Sequence, residues 1–443
     1  MLAAMSATAD SPGSPAAGTA RTGGDSCPGT LRLHRADDGA LARVRIPGGV
    51  LTAAQARTLL AAAERLGDGE LHLTSRGNLQ LRGLGVDCGG ELAELLRGAG
   101  MLPSDRHERV RNAVVSPLSG LDTSGHPDIR SWLTGLDALL CGSERAAALS
   151  GRFLFALDDG RGDVDALGAD LTLIAVDGAR ALLRTGAGGP LLPVPFDAAP
   201  RAALIAAEVF LDLAADPGVW RISALPDAAR AALPAEVARR AGLVVPPVGE
   251  PPGPPPPRPA RAPAPGAVTG PGGAVALHLG VPMGRLTGAR WRALVETAER
   301  LGSGELRCTP WRGVVVPGLA AGAAREALDV LAEAGLVTGP DSPWAGVGAC
   351  VGRPGCAKSL ADVRAEAEAA LAPRPVPALL PVYWSGCERR CGHPHGEWID
   401  VVATPAGHRI ARVRGDSRDA PVTVPDDPAA LAAAVAAARG ART

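Results

Sequence analysis

Four cysteines near the end of the chain form two close pairs. Cys350 and Cys356 lie in GACVGRPGCAKS; Cys387 and Cys391 lie in WSGCERRCGHP, about 30 residues further on. Four thiolates can each hold one iron of a cubane [4Fe–4S] cluster, and neighbouring glycines let the backbone approach the inorganic sulfides. Gly348, Gly352, Gly355, Gly386 and Gly392 stand in those places. Two plainer readings compete: a structural zinc, and buried thiols without any metal. Zinc knuckles favour C-x2–4-C pairs and fit the C-x5-C spacing poorly. Cys27, Cys88, Cys141 and Cys308 are isolated and read as packing or surface thiols.

A second group could bind anions. In TSRGNLQLRGL (74–84), Arg76, Asn78, Gln80 and Arg82 alternate with Gly77, Leu79 and Leu81. A period of two puts the four polar side chains on one face of a strand. Arg109, Arg111 and Asn112 follow in RVRNAVV. Arginine holds carboxylates through two parallel hydrogen bonds, so such a row suits a ligand carrying many propionate and acetate groups. Alternation alone also fits a strand whose polar face is merely solvated.

The elements that position these residues occur twice. AERLGDGELHLTSRGNLQLRGL (63–84) aligns without a gap to AERLGSGELRCTPWRGVVVPGL (298–319), with 11 of 22 positions identical. Internal duplication follows. Thr52 and Gln55 form a capping box ahead of an Ala/Leu-rich helix that Gly67 ends; Thr287 and Gly302 bound the matching helix. Each helix is preceded by a strand and followed by two more, an α+β half that its copy completes. Only the first copy carries the polar row, for the second has Trp311, Gly313, Val315 and Pro317 there. Segments near 108–190 and 340–416 follow the two copies and also look related.

VPPVGEPPGPPPPRPARAPAPGAVTGPGG (245–273) reads as a semi-rigid polyproline linker between the halves. The 1–26 segment reads as a disordered tail, without the apolar stretch of a signal peptide. No run of about 18 apolar residues suggests a membrane span. The 45 basic and 46 acidic residues nearly cancel, which gives no support for nucleic acid as a partner. Lys358 is the one lysine, a bias that warns against reading every arginine as a chosen anion ligand. A cytoplasmic location follows as the expectation, with thiols used for metal ligation rather than disulfides.

Taken together, C-x5-C with C-x3-C, the TSRGNLQ strand, the RN…PLSGLD segment and the duplication resemble the nitrite/sulfite reductase superfamily. CPGTLRLHRADDGALARVRIPGG (27–49), GVPMGRLT and ELRCTPWRGVVVPGL resemble, within it, the precorrin-3B synthases of aerobic cobalamin synthesis. The resemblance implies two ferredoxin-like half-domains (27–95 and 274–335) and two α/β lobes, 96–244 without cluster cysteines and 336–416 with them. A C-terminal tail, 417–443, completes the chain.

It also implies a [4Fe–4S] cluster on Cys350, Cys356, Cys387 and Cys391, and a mononuclear non-haem iron. The implied reaction is hydroxylation of precorrin-3A with O2 and closure of a γ-lactone, fed by a ferredoxin or an NAD(P)H-dependent reductase. No G-x-G-x-x-G follows a strand, so this chain is not expected to bind the nicotinamide itself. Arg76 and Arg111 map onto substrate-side arginines of the reductases. The tetrapyrrole-binding set extends to Asn78, Gln80, Arg82, Asn112 and Arg152. Reductases carry a lysine in an LPRKF-like segment where LSGRF (149–153) offers Arg152, which puts anion reduction in doubt. His393 and His395 with Glu397 have the 2-His-1-carboxylate composition of a non-haem iron site, or form a solvated loop. The alternatives are a sirohaem-dependent nitrite or sulfite reductase, in which Cys391 would join cluster and haem, and a non-catalytic electron-transfer module.

Overall fold

The computed structural model describes residues 27–440 apart from 215, 217, 244–261, 372–379, 395 and 416. The expected tail at 1–26 and most of the proline-rich linker lie outside the described residues.

Each half-domain forms as its local sequence dictates. Thr52 accepts from the Gln55 backbone while Gln55 reaches back, so the capping box starts the helix Ala53–Leu66, and Gly67 closes it. Thr287 likewise caps Gly288–Arg300. The strands Leu71–Leu73 and Leu79–Leu84 recur as Glu305–Cys308 and Gly313–Ala320.

The two copies complete one another by exchanging an edge. The first sheet runs His34–Ala36, Gly39–Val44, Leu79–Leu84, Leu71–Leu73 and then Arg285–Leu286, a strand from the second copy. The second sheet receives Val50–Thr52 from the first, with Leu306 opposite Leu51. This crossing is tight: Gly49 has φ of 72°, and a Cβ there would meet the Cys308 carbonyl at 1.9 Å. The two long helices pack together, and Trp291 Nε1 donates to the Ala56 carbonyl at 2.7 Å. Leu59, Leu71, Leu79, Leu277, Leu294 and Leu306 therefore belong to one continuous core.

The lobes share a topology. Ala113–Val115, Phe155–Asp158 and Leu171–Ala175 run parallel, followed by antiparallel Arg180–Thr185 and Leu191–Pro195. Val347–Ala349, Val382–Ser385 and Glu397–Thr404 repeat the parallel part, with Gly407–Arg414 antiparallel. Among the described residues, no helix is long and apolar enough to cross a membrane.

Two expected boundaries move. Gly266–Thr269, placed in the linker by its Pro/Gly surroundings, pairs with Ala274–Gly280 as the outer strand of the second sheet. The segment after 417 is part of the cysteine-bearing lobe. Its helix Pro428–Gly440 buries Leu431 and Val435 in that core, and Arg439 donates to the Leu380 and Ala345 carbonyls at 2.9 Å each.

Candidate functional site

The four cysteines gather at the mouth of the parallel strands of the second lobe. Cys350 follows Val347–Ala349, and Cys387 and Cys391 follow Val382–Ser385. Cys350 Sγ accepts from the Gly386 N–H at 3.2 Å. Gly386 itself is crowded, since a Cβ there would lie 1.8 Å from Ser359 Oγ. Burial pushes the Cys350 thiol up, and Cys391 and Cys387 push it further; Cys391 is raised by burial and by Cys387 and Cys356. The four sulfurs thus share one electrostatic neighbourhood that a cationic centre would relieve.

They do not share a zinc knuckle. Zn–S bonds of 2.3 Å would bring all four sulfurs within about 3.8 Å of each other. Among the described residues, no three cysteine sulfurs lie within 4.8 Å of one another. Four soft donors, wider apart than zinc needs and receiving a backbone N–H, fit a cubane.

The first half-domain grips the loop that carries Cys356. Arg82 holds Asp38 through two hydrogen bonds of 2.8 Å and gives a third, also 2.8 Å, to the Gly355 carbonyl. On the other side of Cys356, the Ala357 N–H donates to Asp37. Arg82 was expected on the tetrapyrrole; Asp38 and Gly355 claim it instead.

The polar row is not solvated. Asn78 and Arg82 are buried, but the row does not serve one ligand. The regular strand starts only at Leu79, because Gly77 turns the chain with φ of 68°. Arg76 and Asn78 reach a cavity of about 600 Å³ between the first half-domain and the first lobe. Asn78 accepts from the Ile46 N–H at 2.9 Å and donates to Asn112 at 3.1 Å, and Asn112 donates to the Phe153 carbonyl at 2.9 Å. Gln80 stays out of the lining. With its amide oxygen turned to Arg43 it accepts two hydrogen bonds, at 3.2 and 2.7 Å. Arg111 is also elsewhere: it pairs with Asp137 at 2.7 Å through two nitrogens and donates to the Met101 carbonyl at 2.9 Å. That buried ion pair corrects the expectation of a substrate-side role for Arg111.

Five arginines line the cavity: Arg43, Arg45, Arg76, Arg152 and Arg221. No carboxylate is among its described lining residues. Burial, then Arg43, holds the Arg45 guanidinium down to about 10; burial, then Arg221, does the same to Arg76. Arg45 Nη1 is buried and makes no hydrogen bond. Such a nitrogen costs free energy until an acceptor arrives. The Arg152 guanidinium lies over the Trp220 ring, 4.5 Å from its centre. Arg221 is anchored by buried Asp170 at 2.8 Å. The donor set fits a polycarboxylate.

Sequence reasoning missed Arg43, Arg45, Trp220, Arg221 and Cys27. Arg43 and Arg45 were within reach, since R-V-R in Gly39–Val44 and the residue after it has the same period of two. Cys27, read as an isolated thiol, lines the cavity and accepts from Arg45 Nη2 at 3.3 Å. Cys308 is a core thiol pushed up to about 12 by burial. Of the three residues suggested for a second iron, two are described. His393 stacks on Trp398 at 5.5 Å, Glu397 bonds Arg412 and Arg414, and His395 lies outside the described residues.

The nitrite/sulfite reductase ferredoxin-like half domain matches residues 33–97 and 269–334. With two such half domains joined in this fold, the chain is similar to the nitrite/sulfite reductase class. Within that class it is similar to the precorrin-3B synthase of a Sinorhizobium species, 27% identical over 90% of this chain and 85% of that one. It is 35% identical to the ferredoxin–nitrite reductase of Synechococcus elongatus, over 27% of this chain and 25% of that one. The Mycobacterium tuberculosis NirA structure shares the fold, with a TM-score of 0.66 and 19% identity over 86% of this chain and 77% of that one.

Proposed function

We propose that this chain is a precorrin-3B synthase-like monooxygenase, which hydroxylates precorrin-3A and closes a γ-lactone on it. One observation carries the reading: five arginines and, among the described lining residues, no carboxylate line a single cavity between the first half-domain and the first lobe. A ligand with several carboxylates satisfies that lining. The extent of similarity supports the synthase over a reductase, at 90% of the chain against 27% for the nitrite reductase. Arg152, standing where the reductases use a lysine, points the same way.

Cys350, Cys356, Cys387 and Cys391 would hold a [4Fe–4S] cluster, which when bound passes single electrons from an external donor. Arg43, Arg45 and Arg76 would pair with substrate carboxylates and fix the macrocycle in one register. Asn78 and Asn112, tied to Ile46 and Phe153, hold the cavity wall against the pull of those charges. Arg152 over Trp220 presents a flat cationic surface to the ligand. One oxygen atom of O2 enters the product and the other leaves as water, with two electrons and two protons from the donor.

The test is an anaerobic absorption and EPR spectrum of the purified chain, with iron, sulfide and extractable tetrapyrrole quantified. A cluster without sirohaem, and product from precorrin-3A under air with a reductant, is the expected result. Stoichiometric sirohaem would overturn the synthase reading and make the chain a nitrite or sulfite reductase. A reducible cluster with no turnover would leave an electron-transfer module.

A further inference from the structure

Among the arginines that donate to backbone carbonyls of the cysteine-bearing loops, three come from outside those loops. Arg82 reaches Gly355 and is neutralised by Asp38. Arg364, one residue into the helix Val363–Ala369, gives Nε to the Cys350 carbonyl at 3.3 Å and Nη2 to His72 Nδ1 at 3.4 Å. Arg312 gives Nη2 to the carbonyl of Gly392, next to Cys391, at 2.6 Å, with its guanidinium 5.6 Å from the centre of the Tyr383 ring. Tyr383 in turn donates to the Cys391 carbonyl at 2.6 Å.

Arg312 and Arg364 differ from Arg82 in one respect. Both are half-buried, and among the described residues neither has a carboxylate within 4.0 Å. Their acceptors are neutral. Arg312 also holds a left-handed backbone, with φ of 57°, a conformation that is strained for a residue other than glycine and persists where surroundings enforce it. A cation removed from water without a partner is unfavourable unless an anion is close. The cluster proposed on the four cysteines would supply one: a cubane on four thiolates carries a net charge of about −2, falling to about −3 on one-electron reduction.

We propose that Arg312 and Arg364 are the counter-cations of the cluster, positioning the Cys391 and Cys350 loops and raising the cluster's reduction potential. The proposal rests on the cluster reading above. Each fixed positive charge favours the more negative, reduced state. His72 fits this role. Its Nδ1 faces a guanidinium that can only donate, so it must accept, and its other nitrogen carries the proton toward Asp68 and Glu70, 3.9 Å away.

The experiment is an EPR-monitored dithionite titration of the whole chain and of its Arg312→Gln, Arg364→Gln, Arg312→Lys and Arg364→Lys variants, with iron and sulfide per chain. The expected result is an intact cluster in each glutamine variant, reduced about tenfold less at a fixed solution potential, about 59 mV for one electron. The lysine variants should stay near the parent. Unchanged potentials in both glutamine variants with intact clusters would overturn the proposal. If the glutamine variants lose the cluster, lysine variants that keep it at the parent potential support the charge role. Lysine variants that lose it as well would make the guanidinium a packing group and overturn it. Absence of iron and sulfide from the parent chain is a separate result, and it refutes the cluster itself.

Discussion

Arg76 and Arg45 illustrate how burial sharpens a charge. Both guanidinium groups are held to about 10 by desolvation and by neighbouring arginines, so their interaction with an arriving carboxylate is worth more than at an exposed surface. A hydrogen bond to a charged group contributes about 1.5–3 kcal/mol. Arg76→Ala should therefore weaken binding of a polycarboxylate tetrapyrrole tenfold or more, measured by fluorescence titration. Arg57→Ala, which removes only an exposed ion pair with Glu299, should leave binding unchanged; equal losses would show that the cavity is not the site. A second buried charge sets a pH dependence. Burial, then Asp158, raises the Asp163 carboxyl from 3.8 to about 7, and its Oδ2 has no hydrogen-bond partner. Between those values the folded chain holds a proton that the unfolded chain has released. Stability then falls as pH rises from about 4 to about 7. Asp163→Asn should flatten that fall and raise the melting temperature at pH 8 relative to the parent. An unaltered pH profile would place the titration elsewhere.

At the scale of elements, the cysteine loops are shaped by close backbone approach rather than by side-chain packing. Gly386 lies under Ser359, whose backbone and hydroxyl leave no room for a methyl group. Its carbonyl accepts from Leu360, and its N–H serves Cys350. Gly386→Ala should displace the Cys387 loop from the Cys350 loop and lower the iron bound per chain to a minor fraction. Adding Ser359→Gly should restore part of it. Full iron in the single variant would show that the loop adapts, and that the glycine is not required. The strand Leu79–Leu84 links the two sites: the turn before it reaches the arginine cavity, and Arg82 near its end holds the Cys356 loop.

For the whole molecule, the exchange of strands makes the half-domains interdependent. Arg285–Leu286 completes the first sheet and Val50–Thr52 the second, while both long helices share one core. Either half alone would expose that apolar face and an unpaired sheet edge. Fragments 27–243 and 262–440, expressed together, should co-purify, and each expressed alone should aggregate. Two fragments that fold separately as monomers would contradict the shared core. The first lobe and first half-domain build the cavity, and the second lobe carries the cysteines. On the proposed function, substrate and electrons would therefore meet only when the duplicated parts are joined.

The sequence by itself determined the cysteine quartet, the duplication, both helix caps and the three central strands of each half-domain, because these depend on spacing and local backbone preference. It also put polar residues on one face of Leu79–Leu84. Only the tertiary structure decided what each of them touches. Asp38 and Asp137, 44 and 26 residues away in the chain, claim Arg82 and Arg111, whereas Arg43, Arg45 and Arg221 enter the cavity. Alternation fixes the direction of a side chain, but the nearest opposite charge fixes its partner, and that charge arrives from elsewhere in the fold.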